Sequence, residues 1–313
     1  MFTARRSLLT AVAAGAFLAP AAAQAAPTTL AVEQAPTRVA AMDGTVMWSK
    51  FDPATKLYNL VKSVDGAAPV AVGVAPRSGS PFDIDLGTSR SGAPFAVYTR
   101  GGDIYRLNVA SGSEAKVAKL RSSVVERDPT IQHGDIAFIR RSGGYDQLRI
   151  ARTTNGSRLI VKRRSILSAE LGDRHVAYVE SHAAGSGGVQ TVHIRNLRTN
   201  ADRGVYRAVS GGANRANVTR PTFVAKPKGF LWARTNMGSG AGNRLVRYTL
   251  AGSKLAYAQG SVRYNTTAWA GDALGVVTSG TLDGSETQGA CTNVGKNYCN
   301  VELSGPLQFD LKP

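Results

Sequence analysis

Gly92-Ala-Pro-Phe-Ala-Val-Tyr-Thr-Arg-Gly-Gly-Asp-Ile-Tyr-Arg-Leu-Asn-Val109 carries two short apolar-rich runs on either side of Gly101-Gly102-Asp103. Runs of this kind joined by a Gly-rich turn predict a β-hairpin. The unit recurs. Aligned on a central bulky residue, the copies are Val46–Lys50, Ala96–Arg100, Ile136–Arg140, Val176–Glu180, Phe230–Arg234 and, weakest, Leu274–Thr278. Successive copies from Trp48 to Val276 lie 50, 40, 40, 54 and 44 residues apart. A period of roughly 40–50 residues is that of a four-stranded propeller blade.

Each copy has room for three more strands. First strands are predicted at Val39–Ala41, Phe82–Leu86, Pro129–Ile131, Ile166–Leu171, Thr222–Val224 and Thr266–Trp269. Third strands follow at Leu57–Val61, Ile104–Val109, Gln147–Ala151, Gln190–Arg195, Arg244–Thr249 and Asn300–Leu303. Fourth strands fall at Val70–Val72, Ala115–Leu120, Arg158–Val161, Gly204–Tyr206, Leu255–Ala258 and Leu307–Leu311. Asp43-Gly44, Asp65-Gly66, Gly101-Gly102, Asn155-Gly156 and Gly211-Gly212 supply turn chemistry. No segment shows a capped helical period.

The expected fold is therefore all-β: a six-bladed β-propeller of four-stranded antiparallel blades. Isolated sheets would leave apolar faces and long edges exposed, and radial packing buries them. Two stacked sandwiches are the alternative for alternating strands, and the single repeat period argues against them. The expected division is a signal peptide over 1–25, an extension over 26–35 and one domain over 36–313. Its blades fall near 36–76, 77–121, 122–163, 164–212, 213–260 and 261–313. Thr28–Val32 is a further strand able to close the ring in the last blade, where four strands are already assigned.

Arg5-Arg6, the apolar run Leu8–Leu18 and Ala23-Gln24-Ala25 have the three parts of a secretory signal. The arginine pair also fits twin-arginine export, and both routes stay open. No later run approaches the roughly 18 apolar residues needed to cross a bilayer. The expected location is extracytoplasmic: periplasm, cell envelope or secreted.

The whole chain of 313 residues carries a formal charge of +17, and removing residues 1–25 leaves +15. Hydrophobic content of 43% with 34 glycines suits a turn-rich globular protein, not a disordered one. The positive balance favours acidic partners, or else is dispersed and serves solubility. Export makes nucleic acid the least expected partner. Cys291 and Cys299, with seven residues between them and in an oxidising compartment, predict a disulfide contributing about 2–3 kcal/mol on the chain-entropy model.

Arg90-Ser-Gly-Ala-Pro-Phe-Ala-Val-Tyr-Thr-Arg100 followed by Asp103-Ile-Tyr-Arg-Leu-Asn-Val109 resembles the WD40-like repeat of the TolB-type six-bladed propellers. The match is best in the second unit, fair in the third (Gly134-Asp-Ile-Ala-Phe138) and partial in the fourth (Gly172-Asp-Arg-His-Val-Ala-Tyr178). The resemblance implies an extracytoplasmic propeller that binds other macromolecules, and it carries no catalytic residues across.

In a propeller the second-to-third connections open on the same face as the links between blades. The residues that begin them are Lys50, Arg100, Arg140, Glu180, Arg234 and Thr278, basic in four of six. A partial ring of positive charge would focus an anionic ligand, with ordinary solvated strand ends as the competing account. Lys50, Arg100, Arg140 and Arg234 are the candidate binding residues. The same connections lengthen at His182–Gly188, Asn236–Asn243 and Gly280–Tyr298, where specificity usually resides. Gly238, Gly240 and Gly242 precede a strand, not a helix, so they do not make a dinucleotide loop.

Asp83 and Asp85 alternate on a first strand facing the channel, with Glu170 placed on the same channel. Two carboxylates are too few for calcium, which takes six or more oxygens. His133, His175, His182 and His193 show no metal-ligand spacing, and no G-x-S-x-G elbow is present. No metal or cofactor is expected. The function expected is a non-catalytic, monomeric binding scaffold for a protein or an anionic cell-envelope polymer, through its basic, loop-rich face. The alternative is a hydrolase or lyase at the channel mouth, which needs converging carboxylates or a His–acid pair.

Overall fold

The computed structural model describes residues 28–33, 37–117, 120, 123–152, 156–184, 187–210, 216–224, 229–236, 243–252, 254–260, 263–269, 276–281 and 299–303. These form antiparallel sheets in a propeller arrangement. The N-terminal strand β1 is Thr28–Glu33. The first sheet holds β2 (Val39–Met42), β3 (Thr45–Asp52), β4 (Leu57–Val64) and β5 (Val70–Ala71), with β6 (Arg77–Ser78) also on β4. The second is β7 (Asp85–Thr88), β8 (Pro94–Arg100), β9 (Asp103–Asn108) and β10 (Glu114–Lys116).

The third sheet runs β11 (Glu126–Gln132), β12 (Asp135–Ser142), β13 (Tyr145–Ala151) and β14 (Ser157–Arg163). The fourth runs β15 (Ile166–Leu171), β16 (His175–Ala184), β17 (Gly187–Asn196) and β18 (Asp202–Ser210). The fifth contains β19 (Ala216–Val218), β20 (Thr222–Val224), β21 (Gly229–Asn236), β22 (Asn243–Thr249) and β23 (Lys254–Gly260). β24 (Arg263–Trp269), β25 (Val276–Thr281) and β26 (Cys299–Leu303) make the last, together with β1.

Four sheets therefore have four strands and two have five, where six uniform four-stranded blades were expected: four such blades are counted. The departures have local causes. In the fifth sheet both β19 and β20 pair with β21, and the interruption between them contains Pro221, which has no N–H for the ladder. In the first sheet the two-residue β6 continues the edge of β4 beside Leu57 and Tyr58. In the second, β7 starts at Asp85 instead of Phe82, because the Asp83 carboxylate takes the Thr99 N–H at 2.8 Å.

The last sheet takes in the N-terminal strand, at the position that Thr28–Val32 allowed. β1 runs antiparallel beside β26, from Thr28 opposite Leu303 to Glu33 opposite Cys299. The fourth strand expected at Leu307–Leu311 lies outside the described residues, as do residues 1–27. At the end of β1, Glu33 accepts a 2.7 Å hydrogen bond from Trp48 Nε1 on β3, linking the last sheet to the first. Burial holds the Glu33 carboxyl above its ordinary range.

The repeat is explained by which way its side chains point. Alternate residues of a strand face opposite sides of the sheet. Val97 packs toward the third sheet while Ala96 and Tyr98 pack toward the first. Ile136 and Phe138 meet the second sheet, and Ala137 and Ile139 meet the fourth. Both faces of a second strand are buried, so it reads as a continuous apolar run. The aligned Trp48, Tyr98, Phe138 and Tyr178 are all fully buried against the preceding sheet.

The hairpin turn in the opening stretch has Gly101 at φ 59° and Gly102 at φ 82°, the left-handed pair that fits a two-residue turn. Arg100 and Asp103 face each other across it. Among the described residues no helix is long and apolar enough to cross a membrane.

Candidate functional site

The four candidate binding residues meet different surroundings. Lys50 is exposed on β3. Arg100 is held bidentately by Glu114 at 2.9 and 2.8 Å, with its guanidinium 4.0 Å over the Tyr105 ring. The Tyr98 hydroxyl donates to the same carboxylate, and burial together with Glu114 holds that phenol far above its ordinary pKa. Arg140 pairs with Glu126, its Cα partner on β11, and sits over Phe138. Arg234 lies on β21 opposite Arg244, and its side chain is outside the described residues. Two of the four thus have their charge matched within their own sheet.

Cys299 is on β26, while Cys291 and the loop holding it are outside the described residues. In the fourth sheet, Glu180 accepts from Arg163 at 3.0 Å, and His193 lies 3.3 Å from both Glu180 and Asp202. Tyr178 stacks on His193 with centroids 4.7 Å apart and donates to Asp202 at 2.7 Å. Burial alone would push Asp202 up; His193 beside it and the hydrogen bond from Tyr178, with Arg163 nearby, hold it below the usual carboxylate range.

The channel carboxylates bind neighbouring inner strands. Asp85 Oδ2 accepts the Ile131 N–H at 2.8 Å, and Asp83 Oδ2 accepts the Asp128 N–H at 2.9 Å. One sheet further on, Asp128 Oδ2 accepts the Ala169 N–H at 2.7 Å and Thr130 Oγ1 accepts the Leu171 N–H at 3.1 Å. Each is a clamp from one sheet to the next. Arg220, between β19 and β20, crosses to the other inner strands. Its guanidinium donates to the carbonyls of Ile84, Pro129 and Ala169 at 3.2, 3.2 and 3.0 Å.

The same guanidinium lies 2.9 Å from Glu170 and 3.6 Å from Asp85. Burial, and then the Asp85 charge, raises the Glu170 carboxyl well above its ordinary value. Burial also raises Asp85, outweighing Arg220. For Asp128 the order reverses: Arg38 and Arg220 overcome burial and hold it low. This cluster fastens inner strands together.

Free positive charge collects elsewhere. At the opposite end of the sheets, where first-to-second and third-to-fourth connections lie, a cleft of about 820 Å³ opens between the third and fourth sheets. Arg152, Arg158, Arg174 and Arg198 line it, against Asp135 and Asp173. Arg152 lies 3.5 Å from Asp135, which also faces Arg90 at 3.7 Å. Arg158, Arg174 and Arg198 are exposed and meet no carboxylate among the described residues.

The turns place them. His133 (φ 48°) and Gly134 (φ 77°) close the β11–β12 turn in left-handed geometry, putting Gln132 and His133 on the rim. Arg149 donates to the Ser157 hydroxyl and carbonyl, each at 2.9 Å, pinning the start of β14 and so Arg158. The Leu197 N–H bonds the Arg174 carbonyl at 2.8 Å, joining the turns that carry Arg174 and Arg198. Ile150, Leu171 and Leu197 line the floor and belong to the core between the two sheets.

A His–acid pair also sits on the rim. His133 Nε2 is 3.1 Å from Asp173, and its Nδ1 is 3.1 Å from Thr88 Oγ1, so both ring nitrogens have partners. None of the cleft arginines was singled out in the sequence. The alignment that marked second-to-third strand ends would have found them had it been applied to the other end of the third and fourth units.

No protein-family model and no curated protein matches the chain in sequence. Solved structures do. A chain of a nidogen/laminin complex is similar at TM-score 0.51 and 10% identity, over 82% of this chain and 93% of that one. A TolB protein from Agrobacterium tumefaciens is similar at TM-score 0.50 and 12% identity, over 81% and 80%. TolB from Acinetobacter baumannii follows at TM-score 0.43 and 12% identity, over 87% of this chain and 55% of that one. At such identities the first two establish the fold and nothing more: a propeller arrangement of four-stranded antiparallel sheets.

Proposed function

We propose that this protein is a non-catalytic, exported propeller that serves as a monomeric binding scaffold, holding an acidic partner in the arginine-lined cleft between the third and fourth sheets. The observation that carries this reading is the set Arg158, Arg174 and Arg198: exposed, without carboxylates among the described residues, and converging on one concavity. Fixed like charges around a concave site raise the local concentration of an anion. The cleft volume lies in the range of ordinary ligand sites, roughly 300–1,000 Å³.

The scaffold is proposed as a closed ring of six sheets. In its support, β2 contacts β7, β7 contacts β11, β11 contacts β15, β15 contacts β20, β20 contacts β24 and β24 returns to β2. Packed apolar clusters lie between consecutive sheets from the last-to-first junction through the fourth-to-fifth. Export is proposed from the N-terminal signal alone. The hydrolase or lyase reading gains the His133–Asp173 pair, whose other ring nitrogen meets the Thr88 hydroxyl at 3.1 Å.

Titration with poly-L-glutamate at low and high salt tests the reading. Binding should weaken steeply as salt rises from about 50 to about 500 mM, because exposed charges are screened beyond a Debye length. Arg158→Glu, Arg174→Glu and Arg198→Glu should each weaken it about tenfold, ~1.4 kcal/mol. Lys50→Glu should leave it unchanged. A loss with Lys50→Glu and none with the three arginines would move the site to the strand-end face.

A further inference from the structure

We propose that the cleft takes up its acidic partner together with a proton on His133: protonating this imidazole tightens the hold, and an anion in the cleft favours the protonated form. The inference rests on the cleft being the binding site. The imidazole joins three sheets. His133 stands in the β11–β12 turn of the third sheet, its Nδ1 3.1 Å from Thr88 Oγ1 at the end of β7 in the second. Its Nε2 is 3.1 Å from Asp173, in the β15–β16 turn of the fourth. The Gly134 N–H bonds the Thr88 carbonyl at 2.7 Å, so backbone and side chain together fix the ring on the rim.

These partners suit both charge states of the ring. A carboxylate only accepts, so Nε2 carries a proton toward Asp173 in either state, beside the Gln132 amide that donates to the same oxygen at 2.8 Å. A threonine hydroxyl both donates and accepts. Thr88 donates to Nδ1 when that nitrogen is bare and accepts from it when it is protonated. Proton uptake therefore needs one hydroxyl rotation and no movement of heavy atoms. Its consequence is electrostatic. Asp135, the other carboxylate of the cleft, is already faced by Arg152 and Arg90. Asp173 meets no arginine at ion-pair distance among the described residues, although Arg174 follows it in the chain. Beside a neutral His133 its charge opposes an incoming anion. Beside the imidazolium that charge is offset, and Arg158, Arg174 and Arg198 act unopposed. The other histidines stand elsewhere. His175 meets Asn196 at 3.2 Å and is held below its ordinary value by burial, His193 lies between Glu180 and Asp202, and His182 is exposed on β16.

Dextran sulfate tests this, because its sulfates stay ionised while histidines change charge, between about pH 5 and 8. At constant ionic strength it should bind the unaltered protein about threefold tighter at about pH 5.5 than at about pH 8, the scale of one exposed charge interaction. His133→Asn, which keeps a residue tolerant of positive φ, should bind equally at both. His182→Asn should keep the parent's dependence. By proton NMR, saturating dextran sulfate should raise the titration midpoint of the His133 ring more than that of His182, the reciprocal of the same coupling. Equal binding by the parent at both pH values, a His133→Asn protein that keeps the full dependence, or an unmoved His133 midpoint overturns the inference. The cleft then still stands if Arg158→Glu weakens binding. If Arg158→Glu, Arg174→Glu and Arg198→Glu all leave dextran sulfate binding unchanged, the cleft reading itself fails. The NMR titration uses the unaltered protein, so it decides even where His133→Asn does not fold.

Discussion

Arg220 shows how much one side chain holds. It sits between β19 and β20, is one-tenth exposed, and bonds backbone carbonyls of the second, third and fourth sheets while facing Glu170 and Asp85. Replacing it with methionine keeps the length but leaves buried carboxylates without their cation. A partner stranded in that way costs about 3–5 kcal/mol, to be read from the urea midpoint of Arg220→Met. Glu170 adds a pH dependence of known sign. Its folded pKa is well above 4.5, so the folded chain binds its proton more tightly than the unfolded chain does. That contribution is complete below about 4.5 and is lost as pH rises through the folded value. Glu170→Gln should flatten the decline of melting temperature with rising pH. An unaltered slope would show that Glu170 does not drive the decline.

At the scale of elements, the closing strand stands apart. β1 is joined to the rest of the chain through β26 and through the Trp48–Glu33 bond. Without β1, β26 would be a bare edge, the part of a sheet most prone to pair with another chain. Deleting residues 28–33 should lower the melting temperature and promote association, measured by calorimetry and sedimentation. Trp48→Phe is the milder change, leaving the Glu33 carboxyl buried without its donor at about 1–3 kcal/mol. A deletion as stable as the parent and no more prone to associate would show that another segment covers this edge. Sequence alone offered Thr28–Val32 as a closing strand in a last blade whose fourth strand was already assigned to Leu307–Leu311.

For the whole molecule, the division follows the range of the forces involved. The second strands, their apolar faces and turns such as Gly101-Gly102 were legible because pleat alternation and positive φ act over a few residues. Repetition of that pattern was enough to point to a propeller. Charge was not legible in this way. Arg100 and Glu114 are 14 residues apart, Arg38 and Asp128 are 90, and Arg220 lies 136 from Ile84, so neutralisation depends on proximity that no local pattern encodes. Sequence by itself thus determined an all-β, repeat-built chain with a strong positive balance. Only the tertiary structure decided which arginines are spent on neighbouring carboxylates and which line a cleft with no carboxylate beside them among the described residues, because a charge is cancelled by what is near it in space.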